Sequence, residues 1–264
     1  MTETSNPEDF SAFGKVRVTG KDRITVLHNI LTNDIKNIPS GNSAPAALLS
    51  AQGKIKMFME VFVLENWVFL LTEPGLAGKT ISLIDPFIIS EEVVLEDISK
   101  TYQLPASIIP KFLFPENEAG GILSIETGIP RYGMDMNENT TLSETGLEKT
   151  AVSWTKGCYP GQEVVARIDA YGGLHRKIRG LIFDQGQLPK PGSKIYADGK
   201  EIGWVTRAAV SKKLGKGIAL GFLAKGYFEK DLPVKISWGE ISIEAQTAGF
   251  PLTRDGDDIR GQST

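Results

Sequence analysis

From Arg176 onward the chain reads as a succession of short strands: Lys177 to Phe183, Lys194 to Tyr196, Gly203 to Ala209, Ile218 to Phe222, Val234 to Ser237 and Glu240 to Ala245. Pro191-Gly192, Asp198-Gly199 and Trp238-Gly239 supply turn chemistry between them. Strands this short, joined by tight turns, bury their apolar faces by closing on one another, so this third of the chain predicts a small barrel or sandwich.

Upstream, strands alternate with helical patterns. Val16-Arg17-Val18 reads as a strand, followed by a helix with Ile24, Leu27, Ile30 and Leu31 on one side that ends near Asn33; Thr19 and Asp22 form a Thr-x-x-Asp capping box before it. Ala46 to Leu49, Ile55 to Leu64 and Trp67 to Thr72 read as strands joined by turns at Gln52-Gly53-Lys54 and Glu65-Asn66. Gly75 to Thr80 ends like a phosphate-binding loop, but the spacing would require glycine where Glu73 stands, so the reading is a helix beginning after Pro74. Val93 to Ile98 and Gly121 to Ile125 read as further strands, with Pro105, Pro110 and Pro115 marking an irregular connection.

A chain of 264 residues, 41% of them hydrophobic, buries a full core and divides into two or three packed domains. The boundaries read as 1–172, 173–250 and a flexible tail over 251–264. One cysteine excludes an intramolecular disulfide framework, and with His28 and His175 far apart no metal-ligand spacing emerges. His28, a lone helical histidine, reads as structural. The opening MTETSNPEDFSA is unlike a signal or transit peptide, and no apolar run reaches the roughly eighteen residues of a membrane span, so a cytoplasmic location without membrane contact is expected. A net charge of -3 argues against direct nucleic-acid binding, which needs a basic face.

The most chemically informative segment is Lys156-Gly157-Cys158-Tyr159-Pro160-Gly161-Gln162-Glu163, followed by a helix read to about Ala170. A lone cysteine is ordinarily a small buried hydrophobe. Here Lys156 lies two residues before Cys158, so in extended chain both side chains face the same way, and Pro160 suits the first position of the helix. The pattern predicts a functional thiol with Lys156 as its activator. Gly157 and Gly161 permit a tight turn, and Gln162 satisfies backbone groups at the helix start. Glu163 and Arg167 form either an exposed ion pair or, through Arg167, a contact to an anionic ligand. Trp154, Tyr159 and Tyr171 are either core aromatics or a stacking surface. Arg176, Lys177 and Arg179 make the densest basic cluster, either a solvated strand edge or an anion contact.

The Lys-Gly-Cys-Tyr-x-Gly-Gln-Glu octet resembles the hallmark of the folate-binding YgfZ proteins, relatives of the aminomethyltransferase (T-protein) of the glycine cleavage system. Ile125-Glu126-Thr127-Gly128-Ile129-Pro130 with Gly133 and Asp135, and the stretches Glu201 to Thr206 and Ala219 to Phe222, are similar to the same family. The resemblance covers roughly residues 13 to 250. It implies an α+β fold of aminomethyltransferase-like folate-binding domains with a C-terminal small β-barrel, and tetrahydrofolate or a derivative as the bound cofactor. It also implies Glu126, Tyr159, Gln162, Glu163 and Arg167 as folate contacts and Cys158 at the rim of the site. The expected function is support of iron-sulfur cluster assembly or repair in client enzymes, including cluster-dependent tRNA-modifying enzymes.

The sequence departs from the family at three places. Ser124 stands where many members carry arginine, Leu142 where a proline is usual, and Met57-Phe58 where the aminomethyltransferases carry two aspartates. Without that carboxylate a classical aminomethyl or one-carbon transferase is the alternative and not the first reading. A module binding tRNA directly is the other.

Overall fold

The computed structural model describes residues 10–105, 110–115 and 117–252. The chain divides into two compact units: Met1–Asn117 with Met136–Ser143 and Leu147–Gly172, and Glu118–Asp135 with Glu144–Gly146 and Gly173–Thr264.

The first unit is built on a five-stranded sheet of β1 (Gly14–Thr19), β2 (Asn42–Leu49), β3 (Ile55–Val63), β4 (Val68–Thr72) and β5 (Val94–Asp97) in the order β2-β3-β4-β1-β5. All neighbours are antiparallel. Strand β3 is buried but for Lys56, and β4 is buried throughout, as its Val-Phe-Leu-Leu run requires. Phe10, Phe13, Phe62, Phe69, Leu71, Ile98 and Leu113 form one core cluster. The edges differ: β2 carries Pro45, and its outer side receives Thr32, whose N–H donates to the Ala47 carbonyl (3.0 Å) and whose hydroxyl accepts from the Ala47 N–H (2.9 Å). β5 is exposed at Val94, Glu96 and Asp97.

Helix α1 (Arg23–Ile30) buries Val26, Leu27 and Ile30, and ends three residues before the expected Asn33 because Leu31 turns to extended backbone. The capping box does not form: Thr19 closes β1 opposite Val94, and the Asp22 carboxylate accepts from the Glu92 N–H at 2.8 Å. Helix α2 (Ala77–Ile84) follows Pro74 as read, packing Ala77, Thr80 and Ile84 at helical spacing.

In the second unit the strands close into a barrel ordered β10-β11-β6-β9-β8-β7. These are β6 (Arg176–Phe183), β7 (Lys194–Ala197), β8 (Lys200–Ser211), β9 (Lys216–Ala224), β10 (Pro233–Trp238) and β11 (Ile241–Ala248). The barrel is filled by Leu181, Ile195, Ile202, Val205, Ala219, Leu223, Val234 and Ile236 among others. Gly203 is needed where β8 meets β9, since a Cβ there would lie 1.8 Å from the Phe222 carbonyl oxygen.

The stretch read as a strand over Gly121 to Ile125 is helix α3 (Glu118–Thr127). A short apolar run does not distinguish strand from helix. Here Ile122 and Ile125, three apart, pack with Ile178, Leu220, Phe222 and Leu252 in a second cluster against the barrel wall. The tail expectation also changes at its start, because Leu252 is buried in this cluster and its N–H donates to the Glu126 carbonyl at 2.6 Å. Residues 253–264 lie outside the described residues. Short helices α4 (Leu142–Thr145) and α5 (Glu148–Ala151) precede α6 (Gln162–Tyr171).

Candidate functional site

The cysteine segment belongs to the first unit, as an irregular segment over 152–160 leading into α6. Lys156 is buried, and its ammonium donates to the carbonyls of His28, Leu31 (2.5 Å) and Asn33 (3.3 Å). These oxygens cluster at the C-terminal end of α1, where carbonyls lack helical partners and the macrodipole favours a cation. The Tyr159 ring lies 5.1 Å from the ammonium. Burial lowers the amine to about 8, with Asp34 acting in the opposite direction. The same burial, and then the Lys156 charge, hold the His28 imidazole below its ordinary value, against the pull of Asp34 at 3.2 Å.

Lys156 was expected beside the thiol as its activator; the structure commits its ammonium to three carbonyls instead. Cys158 itself is exposed and unpaired. Tyr159 is buried, and burial pushes its phenol up to about 12.

Pro160 does not open the helix. Gly161 caps it with φ +80°, and Gln162 is the first helical residue. A Cβ at Gly161 would lie 2.5 Å from the Ser50 carbonyl oxygen and 3.1 Å from the Gly53 Cα. Gly53, at φ +72°, in turn lies under Val164, whose Cβ would be 3.0 Å from an added Cβ. The β2–β3 turn and the start of α6 therefore meet through two glycines, a fit that neither segment reveals alone. Gly157 has open space around its Cα. Along α6, Val165 is buried, Gln162 half-buried, and Glu163 and Arg167 exposed with no ion pair between them among the described residues. Trp154 and Tyr171 are 48% and 87% exposed, so neither is a core aromatic of this unit.

Met57 and Phe58 are fully buried apolar side chains. The carboxylate that β3 does carry is Glu60, on the same face as Phe58 by strand alternation. It accepts from the Ser43 hydroxyl (2.7 Å) and the N–H groups of Lys111 (2.9 Å) and Phe112 (3.1 Å). Burial raises it above the ordinary carboxylate range. An acid in the otherwise apolar Met57 to Val63 run was the signal for it, and its bonds make it a pin for the 111–112 segment.

Glu126 lies in the second unit, on α3, and accepts from the Ser211 hydroxyl of β8 at 2.5 Å. The structure thus gathers Lys156, Cys158, Tyr159, Gln162, Glu163 and Arg167 in one unit and Glu126 in the other. Near Glu126, the buried Asp135 accepts from the Arg131 N–H (2.8 Å), the Thr206 hydroxyl (2.5 Å) and Arg207 Nε (2.8 Å). Ser124, at the position of the first departure, is buried and accepts from Arg207 Nη1 at 2.8 Å. Arg176 and Arg179 are engaged as well. Arg176 pairs with Glu144 (2.8 Å) and covers the Phe222 ring at 4.9 Å, and Arg179 donates to the Phe228 carbonyl at 2.6 Å. Among the described residues no group of three or more His, Cys, Asp or Glu side chains is disposed to hold a metal ion, and no helix is long and apolar enough to cross a membrane.

Residues 176–252 match the glycine cleavage T-protein C-terminal barrel domain. An aminomethyltransferase of Thermosipho melanesiensis is 24% identical, the alignment covering 93% of this chain and 85% of that protein. A chloroplastic protein of Arabidopsis thaliana, whose name carries only a provisional assignment as a transferase, is 22% identical over 82% of this chain; the chain spans 65% of its length. The crystal structure of the glycine cleavage system aminomethyltransferase T from Bartonella henselae has a TM-score of 0.77 at 15% identity, covering 92% of this chain and 84% of that one. The chain therefore has the expected aminomethyltransferase-like fold, with mixed α and β content and a six-stranded C-terminal barrel.

Proposed function

We propose that this chain binds a tetrahydrofolate derivative and, like the YgfZ proteins whose octet it shares, supports assembly or repair of iron-sulfur clusters in client enzymes of the cytoplasm. Any effect on tRNA is then indirect, through cluster-dependent tRNA-modifying enzymes. The observation that carries the reading is the pairing of a buried Met57-Phe58, where the resemblance calls for catalytic aspartates, with an exposed Cys158 thiol. A scaffold that keeps its folate-binding architecture but lacks the acid/base group is suited to holding the ligand without aminomethyl transfer.

In this reading the exposed Arg167 and Glu163 with the half-buried Gln162 supply polar contacts to the folate. Arg167 suits the glutamate tail, because a guanidinium matches carboxylate geometry. Tyr159 supports the loop from beneath Lys156. Cys158 acts at the rim. A single thiol can hold a cluster or a sulfur species only together with a partner's ligands, so its action is transient.

The names of its relatives favour a second reading, a tetrahydrofolate-dependent aminomethyl or one-carbon transferase. Titration with tetrahydrofolate derivatives on the wild type and on Cys158→Ala, alongside restoration of a cluster-dependent enzyme, separates the two. Ligand binding retained by Cys158→Ala with loss of restoration is expected. Full restoration by that variant, or folate-dependent turnover of an aminomethyl donor, would sink the first reading.

A further inference from the structure

We propose that the corner between α2 and β5, residues 85–94, is a docking point for client enzymes: Ile89 enters an apolar pocket on the client whose rim carries lysine or arginine. This rests on the iron-sulfur reading above.

Single apolar side chains on a protein surface are ordinary and need no explanation. At this corner they are concentrated. Of the nine large apolar side chains exposed among the described residues, Phe87 (40%), Ile89 (91%) and Val94 (62%) fall within eight positions of one another. Ile88, Val93 and Leu95 beside them are half-buried, so the apolar character extends beyond the three exposed tips.

The backbone that presents Ile89 is tied down on both sides. A single 3₁₀ turn over Asp85–Phe87 closes with the Ile88 N–H donating to the Asp85 carbonyl at 2.9 Å. The Ile89 and Ser90 N–H groups donate to one oxygen of the Glu91 carboxylate (2.9 and 3.0 Å), and the Val93 N–H donates to the Glu91 carbonyl (3.0 Å). From the turn after β1, the Asp22 carboxylate accepts from the Glu92 N–H (2.8 Å) and the Lys21 ammonium pairs with the Glu92 carboxylate (2.6 Å). A side chain held out on a bonded turn loses little freedom when a partner covers it. Such preorganisation is what separates an anchor from a surface residue that must first be ordered.

Charge selects the occupant. Residues 85–97 contain five acids, Asp85, Glu91, Glu92, Glu96 and Asp97, and no basic residue. Lys21 and Arg17 pair with Glu92 and Glu96, whereas Asp85, Glu91 and Asp97 make no ion pair among the described residues. The Ile89 and Ser90 N–H groups hold the Glu91 carboxyl below its ordinary value, so its charge is in place at neutral pH. The phosphates of a tRNA would be repelled, and a second copy in isologous contact would bring the same acids face to face. A protein pocket with an apolar floor and a basic rim is complementary on both counts, and opposite rim charges also speed encounter.

The test uses the full chain and a purified cluster-dependent enzyme whose activity the wild type restores, with direct binding measured beside restoration. Ile89→Ser is expected to weaken binding about tenfold or more and to raise the half-maximal concentration for restoration by the same factor. Maximal restoration, tetrahydrofolate binding and the thermal midpoint should stay at wild-type values. Cys158→Ala should do the converse, keeping affinity while losing restoration. Glu91→Gln keeps an oxygen for the two N–H groups but removes the charge, and should lower both the affinity and its dependence on salt. Leu188→Ser, at an apolar residue 38% exposed in the second unit, should change nothing. Wild-type half-saturation in Ile89→Ser, or equal weakening in Leu188→Ser, overturns docking at this corner and leaves the iron-sulfur reading standing. Unchanged affinity and salt dependence in Glu91→Gln overturns the basic rim in the same way. Sedimentation showing self-association that Ile89→Ser abolishes overturns it too, since a second copy then covers the corner. No restoration of any cluster-dependent enzyme by the wild type refutes the iron-sulfur reading itself, and this inference with it.

Discussion

Replacing Gly161 by alanine tests whether the cysteine motif is built around a backbone contact. The φ of +80° at Gly161 is left-handed, which costs a residue with a Cβ about 1–2 kcal/mol. The added methyl would also lie 2.5 Å from the Ser50 carbonyl oxygen, which already accepts from the Gly53 N–H (2.9 Å) in a turn whose Ser50 N–H donates to the Lys54 carbonyl (2.8 Å). Moving that turn is an overpacking cost of about 1–3 kcal/mol. The sum, about 2–5 kcal/mol, corresponds to a fall in the thermal midpoint on the order of 10 °C for a unit of this size. The control is Gly157→Ala, four residues earlier in the same motif. Its Cα faces open space and its φ is not left-handed, so the expected change is within about 0.5 kcal/mol. Thermal and urea denaturation of both variants decide the matter. A Gly161→Ala midpoint within about 1 °C of wild type, or equal losses in both variants, would refute the reasoning.

Glu60 gives a dependence on pH. Because burial raises its folded pKa, its contribution to stability is fully present below the ordinary value of 4.5 and is lost as pH rises through the folded value. Glu60→Gln should flatten that part of the profile, read from urea midpoints between acid and neutral pH. Lys156→Met strips the donor from the His28, Leu31 and Asn33 carbonyls and should cost about 1–3 kcal/mol in equilibrium unfolding; an unchanged midpoint would count against the helix-closing role. Arg207→Met leaves Asp135 charged and buried, for an expected loss of about 3–5 kcal/mol. In a double-mutant cycle with Asp135→Asn the combined loss should fall well short of the sum, and strict additivity would contradict the coupling.

The barrel was legible because each short strand carries its own apolar alternation and its own turn residues, information contained within a few neighbouring positions. The central sheet was legible for the same reason. What escaped were features fixed by distant partners. Thr19 and Asp22 have the spacing of a capping box, but Thr19 pairs with Val94 and Asp22 turns to the Glu92 N–H, distant partners along the chain in each case. Lys156 and Cys158 have the spacing of two side chains on one side of a strand, but the lysine finds the end of α1, 128 positions from His28. Gly121 to Ile125 has the apolar density of a strand, and becomes helical because α3 must lay Ile122 and Ile125 on the barrel. In the candidate site, Cys158 could be picked out by type alone. The setting of Glu126 could not, because Ser211 reaches it from 85 positions away.

The two sheets also face different hazards of self-association. The barrel is closed and has no strand edge to offer a neighbouring molecule. The open sheet of the first unit has two. That of β2 is occupied by Thr32. On the β5 side Ile89 and Val94 stand 91% and 62% exposed, and the charges of Glu91, Glu92, Glu96 and Asp97 surround them. Acids in that position act as gatekeepers against strand addition. The cost of neutralising them would therefore appear less in the melting temperature than in the concentration at which the chain remains monodisperse.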